Sequence, residues 1–254
     1  MSEITRRLEG VPVFNMHTQA HSDGIARNVA GDARRYHFGS YDLATILALP
    51  HLLELVNRPD LVAMAEAHLG CVPTLYGLNL WWSFAGHPEL ASSNNHLHRD
   101  RDDVGFCTLF VYLTDVDEEA GPHVFVRGTH RDAAFERLRA DGLPGEVETA
   151  GERYDLKTLT CRIERNDELY ERVFHRQLVR LVGPAGTAAL IDTNGLHRGD
   201  LPRSRDRLIF SARYGFGRAS TYVQNRLAPL PRDGFEHRLA WSPKDRYVNR
   251  LFIR

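Results

Sequence analysis

Between residues 41 and 70 apolar positions recur at helical spacing, with Leu43, Ile46, Leu47 and Leu49 followed by Leu52, Leu53, Leu55 and Val56. Asn57-Arg-Pro-Asp60 interrupts the pattern, Leu61 to Leu69 resumes it, and Gly70 is a stop signal. The spacing predicts a pair of amphipathic helices whose apolar stripes cover one face of a sheet. From Thr74 to Phe84 the period becomes two. Tyr76, Leu78, Leu80 and Trp82 alternate with Gly77, Asn79, Trp81 and Ser83, which predicts a strand with one core face and one face turned toward a site. A run rich in Thr, Phe, Val and Tyr ends at Val116; acidic turn residues and Gly121-Pro122 then predict a hairpin with the strand that follows.

Leu178–Val182 and Ala188–Asp192 are two more strand-like runs, and the Gly183–Thr187 stretch between them is expected to be a hairpin turn. In Arg207–Tyr214, Arg207, Ile209, Ser211 and Arg213 share one face and Leu208, Phe210, Ala212 and Tyr214 the other, so a helix-packed side opposes a guanidinium-bearing side. Residues 131–176 form a charged, partly helical segment broken at Asp141–Gly145, long enough to be expected as a lid or wall of a substrate pocket. Residues 1–40 offer only Val11–Phe14 as a strand, and the tail is basic and aromatic.

Composition narrows the class. The 254 residues, 43% of them hydrophobic, suffice for a single domain: support at 1–73, a core at 74–215 that contains the 131–176 insertion, and an extension at 216–254. A net charge of −1 leaves no electrostatic footprint for nucleic acid or an anionic membrane, so the expected partner is a small molecule. Cys71, Cys107 and Cys161 form no Cys-x-x-Cys pair, which suits free thiols in a reducing cytosol. With no apolar run of spanning length and no export signal, a soluble cytoplasmic protein is expected. Oligomeric state is not encoded in any of these features.

Three His-x-Asp pairs occur, at His21/Asp23, His98/Asp100 and His130/Asp132. On an extended backbone the two side chains of such a pair project from one face, as two metal ligands must. His21 and Asp23 lie in a polar stretch without apolar alternation, and Asp132 or Thr129 reads as a helix start. Only His98 and Asp100 precede a long strand-like run. With His197, from Asp192-Thr-Asn-Gly-Leu-His197-Arg-Gly, they would complete a 2-His-1-carboxylate facial triad of the kind that holds non-haem iron.

His98-Arg-Asp100, the run from Phe110 through Gly128-Thr-His130, Gly183–Asp192, His197-Arg-Gly and Arg207 together resemble the phytanoyl-CoA dioxygenase-like family of Fe(II)/2-oxoglutarate-dependent oxygenases. The likeness spans roughly residues 74–215. It implies a mainly β fold with flanking helices, a double-stranded β-helix or jelly-roll barrel of the cupin type. It also implies iron on His98, Asp100 and His197, 2-oxoglutarate paired with Arg207, and O2 as co-reactant. A planar guanidinium suits that role because it gives a carboxylate two parallel charge-assisted hydrogen bonds. Thr108 and Asn95 are further candidates for the cosubstrate, and Trp82, Asn79 and Arg213 for the substrate, with His123, Ser211 and Trp81 as other possible contacts. The implied reaction is a hydroxylase reaction, insertion of oxygen into an unactivated C–H with release of succinate and CO2. Because Asp100 retains the carboxylate that related halogenases lack, halogenation is not expected. Two alternatives stay open: a 2-oxoglutarate-independent metal dioxygenase on the same barrel, which would ignore Arg207→Ala, and a non-catalytic jelly-roll binding protein, which would hold its ligand without metal.

Overall fold

The computed structural model describes residues 2–14, 27–28, 38–86, 93–161, 166–217 and 229–254; His21 and Asp23 lie outside them. The strands are β1 (Val13–Phe14), β2 (Arg27–Asn28), β3 (Phe38–Ser40), β4 (Thr74–Ser83), β5 (Phe106–Tyr112), β6 (His123–Val126), β7 (Glu146–Thr149), β8 (Glu152–Asp155), β9 (Leu178–Leu181), β10 (Ala188–Ile191), β11 (His197–Gly199) and β12 (Arg207–Gly215). The helices are α1 (Ser2–Arg7), α2 (Leu43–Ala48), α3 (Leu52–Val56), α4 (Pro59–Leu69), α5 (Asp132–Ala140), α6 (Leu156–Thr160), α7 (Asp167–Val173) and α8 (Pro243–Asn249).

The expected helical pair is a trio. Pro50 cannot continue α2, and it holds Leu49 before it in an extended conformation with ψ 142°. His51 then takes a left-handed φ of 69° before α3 begins. Pro59, by contrast, stands at the start of α4, where a missing N–H costs nothing.

A seven-stranded antiparallel sheet in the order β10-β5-β12-β4-β3-β1-β2 faces a three-stranded antiparallel sheet in the order β11-β6-β9. The smaller sheet is extended by a bridge between His98 and His197. This is the double-stranded β-helix arrangement, a jelly roll with flanking helices, although the described strands do not close a hydrogen-bonded barrel. The two stretches expected as hairpins instead carry the chain from one sheet to the other. β5 lies in the large sheet and β6 in the small one; β9 pairs with β6, whereas β10 pairs with β5. Turn residues mark a change of direction equally well in both cases, so local sequence does not tell a hairpin from a crossover. At Gly121, φ is 70° and a Cβ would sit 2.3 Å from the Asp200 carbonyl, so only glycine permits the crossing there.

Burial follows the alternation. Leu78, Leu80, Leu208, Phe210, Ala212 and Tyr214 join α2, α3, α4 and α8 in the main core. Phe110, Tyr112, Ile191 and Ile209 form a second cluster between the sheets, with Trp81, Phe125 and Leu181 packed on it. A third core lies behind the small sheet, where Phe135, Leu156, Leu159, Tyr170 and Phe174 of the insertion meet Leu97, Val126 and Leu196. The described part of 131–176 is therefore a backing layer rather than a cover, and it includes the β7–β8 hairpin, turned by positive φ at Ala150 and Gly151. Among the described residues no helix is long and apolar enough to cross a membrane.

Candidate active site

Two reciprocal backbone hydrogen bonds build the centre. His98 N–H donates to the His197 carbonyl at 3.0 Å, and His197 N–H to the His98 carbonyl at 2.9 Å. Residues opposed in this way project the same way, and the two imidazole centroids are 4.3 Å apart. Their neighbours Leu97 and Leu196 point oppositely, into the core behind the small sheet, which fixes the facing of both histidines. Asp100 N–H donates to the Thr193 carbonyl at 2.9 Å, so the chain stays extended for two more residues and the carboxylate falls beside the rings.

His98 Nε2 lies 3.7 Å from Asp100 Oδ1, and His197 Nε2 lies 3.6 Å from Asp100 Oδ2. One ligand atom from each of the three residues falls within 4.8 Å of the others. The distal ring nitrogens are already engaged: His98 Nδ1 meets the His96 carbonyl at 2.7 Å and His197 Nδ1 the Gly195 carbonyl at 2.9 Å. A carbonyl can only accept, so each Nδ1 carries the proton and each Nε2 lone pair faces inward, as a metal requires. Burial pushes the His197 pKa down to about 4, against the attraction of Asp100. Burial alone would raise the Asp100 pKa, but the Arg213 guanidinium beside it holds it well below the usual carboxylate range. The donor set is thus an anion with a neutral imidazole beside it.

Arg207 occupies the same interior. It is 3% exposed, and Nη2 donates to Ser83 Oγ at 3.2 Å while Nε and Nη1 are buried without a hydrogen-bond partner. Burial lowers its pKa, yet a guanidinium starts so high that it stays charged. Gly199 makes room, because a Cβ there would be 3.2 Å from Arg207 Nη2. His123 stands opposite Gly199 in register. Its ring packs between Phe110, at 4.4 Å, and His197, at 5.5 Å, and its Nε2 is also buried without a partner. A groove of about 610 Å³ is lined by Phe125, Leu181, Ala189 and Ile191 together with Met64, His68, Arg127, His130 and Asp192. Its wall reaches the triad, since Phe125 is the register partner of His197.

The remaining expected residues are placed as follows. Thr108 is fully buried, its Oγ1 3.2 Å from Thr193 Oγ1. Asn95 donates through Nδ2 to the Gly199 carbonyl at 2.8 Å and so steadies β11. Asn79 sits on the interior face opposite Ser211. Trp82 does not face the site: it packs on the helix-side core and donates Nε1–H to Tyr41 Oη at 3.1 Å, and Trp81 lies between the sheets instead. Adjacent strand residues must face opposite ways, so only one of the two tryptophans can look inward. Arg213 is held by Asp100 and Asp102. His130 is no triad member, and Asp132 pairs with Lys157 at 2.9 Å. The sequence reading passed over Tyr76, Ser83, Asp102 and Thr193. Ser83 and Thr193 carry no signal beyond their strand positions, whereas Asp102 continues the alternation of His98 and Asp100.

The profile of the family described as phytanoyl-CoA dioxygenase (PhyH) matches residues 15–207, about three quarters of the chain. The chain belongs to that family. Among solved structures, this family member is 19% identical to the α-ketoglutarate-dependent epimerase SnoN from nogalamycin biosynthesis, with 87% of this chain and 78% of that one covered and a TM-score of 0.48. HygX from Streptomyces hygroscopicus, with nickel and 2-oxoglutarate bound, is 18% identical over 73% of this chain and 71% of its own, with a TM-score of 0.40. EctD from S. alaskensis, with 2-oxoglutarate and 5-hydroxyectoine, is 17% identical over 80% and 60%, with a TM-score of 0.44. No curated protein sequence matches the chain.

Proposed function

We propose that the protein is an Fe(II)- and 2-oxoglutarate-dependent oxygenase that hydroxylates an unactivated C–H of a small molecule. The observation that carries this reading is Arg207, a buried cation with two unpartnered nitrogens in the interior that also holds the triad. An unfilled guanidinium in so closed a place calls for an anion, and a carboxylate matches its planar fork. His98, Asp100 and His197 fit iron by number, protonation state and the engagement of both Nδ1 atoms. Iron would supply the redox chemistry, in which 2-oxoglutarate and O2 give succinate and CO2 and one oxygen atom enters the substrate C–H.

The chain's own residues bind, orient and exclude water. Arg207 and Ser83 hold the far carboxylate, and His123 Nε2 offers one more hydrogen bond toward the same space. Phe110, Tyr112, Ile191 and Ile209 keep that space apolar, so the charge pairing is little screened. The groove beside Phe125 and Ile191 admits the substrate, with apolar walls and the polar side chains of His68, Arg127, His130 and Asp192. The cytoplasm suits the free thiols, of which Cys107 is buried with its pKa raised to about 12 and so is unreactive.

Anaerobic titration with Fe(II) and then 2-oxoglutarate tests the reading. A weak visible charge-transfer band should require both additions, vanish in Asp100→Ala, and demand roughly 100-fold more 2-oxoglutarate in Arg207→Ala, because breaking a buried charge pair costs about 3 kcal/mol or more. A folded wild type that gives no band and binds no Fe(II) would end the oxygenase reading.

A further inference from the structure

Arg213 and Asp102 are charged groups beside the triad that the cosubstrate reading does not employ. Arg213 lies on β12 opposite Thr108 and Gly77, on the face shared with Arg207. Its Nη1 is 2.8 Å from Asp100 Oδ2 and 2.6 Å from Asp102 Oδ2. The N–H is aligned on Asp102, whereas Asp100 Oδ2 has the charge beside it without an aligned hydrogen bond. Tyr76 Oη donates to the same Asp102 oxygen at 2.9 Å. It can do so because of an irregularity in β4: Gly77 pairs with Arg213 and Leu75 with Tyr214, so Tyr76 bulges out of the ladder and turns away from the main core.

A carboxylate ligates a cation through one oxygen or through both. If both Asp100 oxygens bound, one of the coordination positions needed by small ligands would be filled. The Arg213 charge lies against Oδ2, where it competes with a cation for that oxygen and leaves Oδ1 open. Asp102 neutralises Arg213, so the cation still meets a net negative site, and Tyr76 keeps Asp102 in place. We infer that Arg213, anchored by Asp102 and Tyr76, is a positioning residue that holds Asp100 as a one-oxygen metal ligand. This rests on the metal-centre reading above.

Mn(II), an oxygen-stable stand-in for Fe(II), allows a test in which water relaxation counts the waters on the bound metal and an EPR titration gives its affinity. Wild type should show about three waters, the open positions of a facial triad. Arg213→Gln should lose one of them, with relaxivity down by about one third, and should bind Mn(II) more tightly by about tenfold, because a positive charge close to the cation is removed. Arg213→Lys, which keeps the charge, should restore the water count. The charge-balanced Arg213→Gln/Asp102→Asn should still lack the third water, which guards against a misfolded single variant. An unchanged water count in folded Arg213→Gln, or weaker binding without loss of water, overturns the inference and leaves Arg213 a support of the fold. Failure of wild type to bind Mn(II) overturns the metal centre itself.

Discussion

His123 shows what a single buried side chain can reveal. A polar atom enclosed without a partner costs about 1–3 kcal/mol, so Nε2 weakens the empty protein. That cost is recovered if a bound carboxylate accepts the hydrogen bond. His123→Leu should therefore raise the stability of the cosubstrate-free protein by about 1 kcal/mol and weaken 2-oxoglutarate binding by about fivefold to tenfold. Denaturant unfolding and calorimetric titration read the two effects; a change of the same sign in both would show that His123 only fills space. The residue types of the centre were legible from sequence. His98 and Asp100 stand out because a two-residue spacing on an extended chain makes a shared face, His197 is the distant histidine that would complete their triad, and the structure brings the three together. Arg213 was legible as an inward guanidinium but not as a partner of Asp100, since that contact depends on a bulge at Tyr76 that no local pattern announces. Alternation groups Trp82 with Leu78 and Leu80, as the structure does, but the pair Trp81-Trp82 does not say which ring a distant layer of helices will cover, so Trp82 is a candidate substrate contact in sequence and a core residue in the structure.

Among the elements, α7 has the closest hold on the metal loop. Its first residue, Asp167, accepts the Leu97 N–H at 2.8 Å, meets His96 Nδ1 at 2.8 Å, and lies 3.5 Å from Arg198 of β11. Arg198 also reaches Glu171 of α7 at 2.5 Å and Asp200 at 2.6 Å, so one helix ties the segment that presents His98 to the strand that presents His197. Asp167→Ala should lower global stability by about 2 kcal/mol, in line with loss of a partly buried charged hydrogen-bond partner. It should also speed hydrogen exchange at Leu97 and His98 relative to amides in β4. If exchange rose evenly in both places, α7 would be a general brace and not a specific one. The strands themselves were read well from alternation, and β4, β5, β9, β10 and β12 fall where the pattern puts them. Their partners were not, because the Gly-Pro turns after residues 120 and 182 specify a reversal without specifying which sheet receives the chain. Pairing across 60 or more residues is decided by how cores close, as when β10 meets β5.

At the scale of the molecule, helices, large sheet, small sheet and insertion stack as successive layers, and the triad lies between the two sheets, where burial keeps His197 neutral. That placement gives the metal-free protein a definite response to acid. His197 has a folded pKa near 4, and His123 is pushed well below its ordinary 6.5 by burial and by the neighbouring Arg207 charge. In the unfolded chain both would take up protons near pH 6.5. Below that pH the unfolded state binds more protons than the folded one, so folding stability falls as pH drops from about 6.5 toward 4 and is unaffected by these groups above about 7. Each histidine contributes a slope of up to about 1.4 kcal/mol per pH unit. His130 shifts the same way but is more exposed, so its share is smaller. Asp100 adds no slope in this window, because its carboxyl is ionised in both states until the pH approaches the ordinary carboxylate range. Urea unfolding at pH 7.5, 6.0 and 5.0 should thus show a stability that steepens downward, and His123→Leu should remove about half of the slope. A flat profile across that range would mean that the two rings are hydrated, and with them the cavity that is here taken to exclude water from the reaction.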